Sequence, residues 1–251
     1  MLLGFMAGCD PIIVGGQAIN LFAEHYATRD PALSTMGPFT SKDLDLFANR
    51  AAAERLAAKL EDATLLLPGM DDASPNAAVV VGWLGRRRVV IDFLAEVLGV
   101  DPTSINRNRV QLEGIAPGVP QPMTLSVMNP LDCVRSRLAN INVLSRTDEH
   151  SLRQAEASIA VMRHFIEDLV EVGELRVAQR MLRDLGYVIR DQHIGKTAQL
   201  RFGTRLDPLA VLGSFVADRR LDPRWREMVL VKACARLRAR ADKALSRVRL
   251  R

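Results

Sequence analysis

Asp43-Leu44-Asp45-Leu46 alternates two carboxylates with two leucines. A strand has a side-chain period of two, so Asp43 and Asp45 project from one face while Leu44 and Leu46 turn to the other, into a core. A third aspartate, Asp92, interrupts the apolar run Val89-Val90-Ile91-Asp92-Phe93-Leu94. Carboxylates held side by side repel each other, and unpaired acids in half-buried strands are costly. Arg87 or Arg88 is one available partner for Asp92. A divalent cation shared with Asp43 and Asp45 is the other, and the order of the segments favours it. Three carboxylates would build the oxygen-rich cradle that Mg2+ prefers. Two such ions can clamp the attacking and leaving oxygens of a phosphoryl transfer.

Upstream, Pro11–Val14 reads as a short buried strand that ends at Gly15-Gly16, and Gln17–Ala27 as a helix. Such a junction presents free N–H groups and the positive end of a helix to an anion. Glycines there permit positive φ and let phosphates approach the backbone. The chain holds neither G-x-x-x-x-G-K-[ST] nor G-x-G-x-x-G, so P-loop and Rossmann sites are not supported. Residues 29–39, with two prolines and a glycine, read as a loop. Thr40–Phe47 is the aspartate strand, and the alanine-rich Arg50–Leu60 is a helix. Strand-like runs follow at 63–67, 77–84, 87–94, 110–115 and 123–127, with a turn at Leu84-Gly85 closing a hairpin.

From Asn129 onward only helical periodicity remains, over 130–144, 149–172, 174–185, 208–217 and 223–248. Asn129-Pro130 and Asp222-Pro223 each have the form of an N-cap followed by proline at the first helical position. The expectation is a mixed α/β domain over residues 1–128 and an all-α domain over residues 129–251.

The 251 residues are 48% hydrophobic, enough for a sizeable core, but only 5% aromatic, so that core is aliphatic. Cys9, Cys133 and Cys234 are far apart and read as small buried hydrophobes. The four histidines show no metal-ligand spacing. The first ten residues lack the basic start of a signal peptide, and no uncharged run is long enough to span a bilayer, so a cytoplasmic protein with no membrane partner is expected. Residues 1–127 carry 10 lysines and arginines against 14 acids, a balance of −4, whereas residues 128–251 carry 24 against 15, a balance of +9. That asymmetry points to an anionic partner for the second half, or to solvated arginine-rich helix faces.

The segments at 12–21, 40–47 and 89–94, in that order, resemble the nucleotidyltransferase fold of the DNA polymerase β superfamily. Their wording is most similar to minimal bacterial nucleotidyltransferases, including AbiEii-type toxins, which likewise pair such a domain with a helical one. The resemblance implies that Asp43, Asp45 and Asp92 hold Mg2+ and form the catalytic centre. It also implies that Gly15, Gly16, Ser41 and Lys42 face the phosphates of an NTP co-substrate. The implied reaction moves an NMP to an acceptor, a tRNA or a protein hydroxyl, reached through the basic half. An antitoxin-like partner is a further implication. The Lys-Asp-x-x-Asp stretch of the toxins is missing, and arginines (Arg135, Arg137, Arg146, Arg153) stand in the comparable region. A nucleotidyltransferase-like binding module without catalysis and an aminoglycoside-type small-molecule transferase are the alternatives.

Overall fold

The computed structural model describes residues 10–37, 43–69, 71–72, 74–114 and 122–249. The expected roles of Ser41 and Lys42 fall outside the described residues. The chain is mixed α/β and forms two compact units, Met1–Leu21 with Pro38–Cys133, and Phe22–Gly37 with Val134–Arg251. The sequence reading divides the chain once, after residue 128; the second unit also draws in residues 22–37.

The first unit is built on a seven-stranded sheet. Its strands are Ile12–Ile13 (β1), Leu44–Phe47 (β2), Glu61–Leu66 (β3), Asn76–Leu84 (β4), Arg87–Leu94 (β5), Val110–Gly114 (β6) and Met123–Val127 (β7). They lie in the order β3-β4-β5-β2-β1-β7-β6. The hairpins β4–β5 and β6–β7 are antiparallel, and Gly85 turns the first of them at φ +62°. Two pairings are parallel and distant in sequence: β2 beside β5, and β1 beside β7. Leu46 pairs with Phe93 and Leu44 with Ile91; Leu46, Ile91 and Phe93 are buried. The aspartates alternate with these residues, so they occupy the opposite face of β2 and β5. A helix at Arg50–Ala57 begins at Asn49, whose side chain accepts from the Ala52 N–H, and buries Ala52, Ala53 and Leu56. A further helix, Pro102–Asn108, is capped by Asp101.

The second unit is helical. A helix at Gly15–Tyr26 (α1) crosses from the first unit into it. Residues 29–39, expected as a loop, contain a helix at Pro31–Met36. Asp30 caps it, accepting from the Ala32 N–H, and proline opens the first turn. The 23-residue helix Glu149–Glu171 (α2) buries Leu152, Ala155, Ile159, Met162 and Ile166 at helical spacing. Leu175–Arg190 (α3) buries Leu182, Leu185 and Ile189. Gly195 opens the next helix, Gly195–Phe202 (α4); a Cβ there would stand 2.7 Å from the Ile189 Cα, so only glycine permits this approach. The chain closes with Pro223–Trp225, a π-helical turn at Arg226–Val231, and the helix Lys232–Arg249 (α5). No helix among the described residues is long and apolar enough to cross a membrane.

Candidate functional site

Asp45 and Asp92 are register partners on the parallel strands β2 and β5. Register partners on neighbouring strands share a face and sit about 4.8 Å apart. The pairing therefore brings the backbones of two acidic residues side by side on one face of the sheet. Asp43 directly precedes β2, two residues before Asp45.

Burial first, and the charge of Asp43 second, push the Asp92 carboxyl above the ordinary carboxylate range. The electrostatic effect of Asp43 on Asp92 brings the third acid into the same neighbourhood. Neither arginine weighed as a partner for Asp92 fills that role. Arg87 and Arg88 are exposed at the start of β5, and among the described residues no salt bridge joins either to Asp92.

Gly15 completes the arrangement. The Val14 N–H donates to the Asp45 carbonyl at 3.0 Å, so the ladder between β1 and β2 runs up to the first residue of α1. Gly15 has φ +68°. A Cβ on it would fall on the Asp45 carboxylate itself, 3.0 Å from Cγ and 3.1 Å from the Asp45 Cβ. Two separate constraints thus require glycine there: backbone conformation and the approach of a carboxylate. Gly16, also buried, follows within the first turn. The first N–H groups of a helix lack intrahelical acceptors, and its dipole favours negative charge at that end. Asp45 therefore stands where either its own charge or that of a phosphate is stabilised.

The fit to Mg2+ rests on the donor set: three carboxylates, with hard oxygen ligands only. Among the described residues, no group of three or more histidine, cysteine, aspartate or glutamate side chains is preassembled to hold a metal ion. The Asp45 carboxylate lies against Gly15 at the start of α1.

A second polar cluster, in the helical unit, went unread in the sequence. His164 on α2 is 5% exposed. Its Nε2 lies 3.0 Å from an Asp30 oxygen and its Nδ1 2.8 Å from Glu167. The Arg163 guanidinium is 3.1 Å from the same Asp30 oxygen. The His164 hydrogen bond is the main cause holding the Asp30 carboxyl below its ordinary range. Tyr26 donates to Asp168 at 2.7 Å, and burial, followed by that carboxylate, pushes its phenol well up. Arg29 also pairs with Asp168. The signal for this cluster is a histidine in the apolar face of α2 with acids three and four residues on. It ties residues 26–30 to α2 and is structural in character.

No family model matches the chain, and neither a curated protein nor a solved structure matches it.

Proposed function

We propose that the first unit is a Mg2+-dependent nucleotidyltransferase that moves an NMP from an NTP to an acceptor hydroxyl. The observation that carries this is the register pairing of Asp45 with Asp92 beside Gly15, at the opening of α1. Asp43, Asp45 and Asp92 are the residues that would hold Mg2+, which when bound offsets charge on the phosphates. Gly15 makes room for the Asp45 carboxylate against the backbone, and the α1 N-terminus would supply N–H donors to the phosphates. Asp92 has a raised proton affinity, which suits a group that takes the proton from the acceptor hydroxyl. The work of the chain is orientation and electrostatic stabilisation, as in phosphoryl transfer generally.

The test uses each of the four α-labelled NTPs with Mg2+ and, in separate reactions, total tRNA and a protein extract as acceptors. Label should pass to one acceptor class, with release of pyrophosphate. Asp45→Asn and Asp92→Asn should each lower the rate by about 100-fold or more, with the far-UV circular dichroism retained. Mg2+-dependent NTP binding without transfer would leave a binding module. Absence of Mg2+-dependent NTP binding would refute the proposal.

A further inference from the structure

We infer that the groove between α3 and the end of the chain is a docking site for an amphipathic helix with an acidic polar face, supplied by a partner protein. The inference concerns the helical unit alone and does not depend on nucleotidyl transfer. Two adjoining chambers, of about 370 Å³ and 440 Å³, run along α3 and α5 and share Arg190, Leu237 and Arg240. The first has an aliphatic floor that includes Leu182, Leu212 and Leu230. The second is more polar, with Gln192, Lys196, Gln199 and Lys243 on its walls beside Ile189 and Leu200.

Three features give the groove its specificity. First, its charge has a single sign. Arg190, Lys196, Arg236, Arg240 and Lys243 line it, and among the described residues no carboxylate does. Arg183, a further lining cation, is paired outside the groove with Asp184 at 3.2 Å. Second, the apolar surface is displayed rather than buried. Met228 is 56% and Val229 40% exposed, while Leu230 beside them is buried. These residues sit on the π-helical turn Arg226–Val231. Such turns interrupt an α-helix at a cost and are concentrated at functional sites. Third, the groove is long. Along α5 it runs from Lys232 to Ala244, about 18 Å at helical rise, and the π-helical turn carries it on to Met228. The whole matches a helix of about 16 residues and exceeds a single nucleotide.

An apolar floor beneath a cationic rim suits a helix whose leucine-type residues fill the floor and whose acids meet the rim. An RNA would use the cations but not the aliphatic floor. Of the two aromatic residues lining the groove, Tyr187 already carries the Arg190 guanidinium 4.4 Å over its ring and Trp225 is partly buried, so the groove offers no run of exposed rings on which successive bases could stack. A second copy of this groove carries charge of the same sign and is disfavoured as an occupant.

The probe is a fluorescein-labelled peptide of about 16 residues, with leucines at i, i+3, i+4 and i+7 and glutamates elsewhere. A scrambled peptide of the same composition, without an apolar face, is its comparator. Anisotropy with the full chain should show the amphipathic peptide binding at least ~10-fold more tightly than the scramble. Arg236→Glu with Arg240→Glu should weaken the amphipathic peptide by ~10-fold or more, and a lysine-for-glutamate version of the peptide should regain that loss. Met228→Asp, an exposed position, should weaken binding without changing the circular dichroism. Equal affinity for both peptides would overturn the proposal in favour of a plain polyanion surface. So would displacement of the labelled peptide by an RNA duplex that itself fails to bind the double arginine variant. Failure of the amphipathic peptide to bind would overturn it as well.

Discussion

Replacing Gly15 by alanine tests the geometry of the carboxylate site through two separable costs. The backbone cost comes from φ +68°, a left-handed conformation that costs a residue with a Cβ about 1–2 kcal/mol. The steric cost comes from Asp45, whose carboxylate occupies the space of the new methyl, with its Cγ 3.0 Å away. Overpacking of that kind costs about 1–3 kcal/mol. Gly15→Ala should therefore destabilise the sheet unit by about 2–5 kcal/mol. In an Asp45→Ala background the carboxylate is gone, although the Cβ at 3.1 Å remains, and the same substitution should cost only the backbone share of about 1–2 kcal/mol. The coupling energy from the cycle is then about 1–3 kcal/mol. Trp83 lies in the sheet unit and Trp225 in the helical unit, so a Trp225→Phe background makes fluorescence report on the sheet unit alone. Urea unfolding in the four backgrounds gives the cycle. An equal loss with and without the Asp45 carboxylate would refute the close approach on which the site is built.

Other outcomes follow from the charges. Asp92 has a raised pKa in the fold, so the stability linked to its proton is fully present below the unfolded value and is lost as pH rises through the folded one. Asp92→Asn should remove that loss, and Asp43→Asn should remove a smaller share, since burial is the larger cause; urea midpoints across pH 3.5–7 would measure both. Glu149 is held down to about 2 by Arg205 first and Arg153 second. Its contribution should persist above the ordinary glutamate range and fade as pH falls through about 2, and an NMR titration of its carboxyl should move up in Arg205→Ala. His164→Ala leaves Asp30 and Glu167 without their buried partner and should cost about 2–4 kcal/mol. The same variant should raise the Asp30 carboxyl, which an NMR titration in the acid range would read.

Local chemistry was readable from the chain wherever it acted through near neighbours. The Gly85 turn and the strand Arg87–Leu94 are set by residues close in sequence and lie where the pattern puts them, whereas the aspartate strand, expected over Thr40–Phe47, is described as Leu44–Phe47 with Asp43 just before it. Helix starts are unevenly legible. Asn129-Pro130 and Asp222-Pro223 mark helix starts, and Asp30-Pro31 and Asp101-Pro102 carry the same signature and also open helices. Asp30-Pro31 is obscured because the prolines and glycine of 29–39 suggest a loop. The His164 cluster depends on contacts between residues more than 130 positions apart, to which spacing rules give no access.

The grouping of Asp92 with Asp43 and Asp45 follows from the order of the segments, but the parallel direction and the register do not. Spacing rules say nothing of two strands that meet at Asp45 and Asp92, forty-seven residues apart. What the sequence does contain is the cost of that pairing. Asp92 interrupts a run of apolar residues, and a single aspartate in such a strand lowers its tendency to stay buried. No arginine among the described residues compensates it, and the neighbouring Asp43 raises the cost further. A fold tolerates this where the acids serve a ligand, because stored local cost tends to gather at functional sites. Gly15 supports the same conclusion from the other side. Its positive φ and the Asp45 carboxylate at its Cβ position are two departures from ordinary packing, next to the register pair Asp45–Asp92. Their coincidence with the Asp45–Asp92 pair, more than any one of the three features, is why the site is read as one built for a cation and a phosphate.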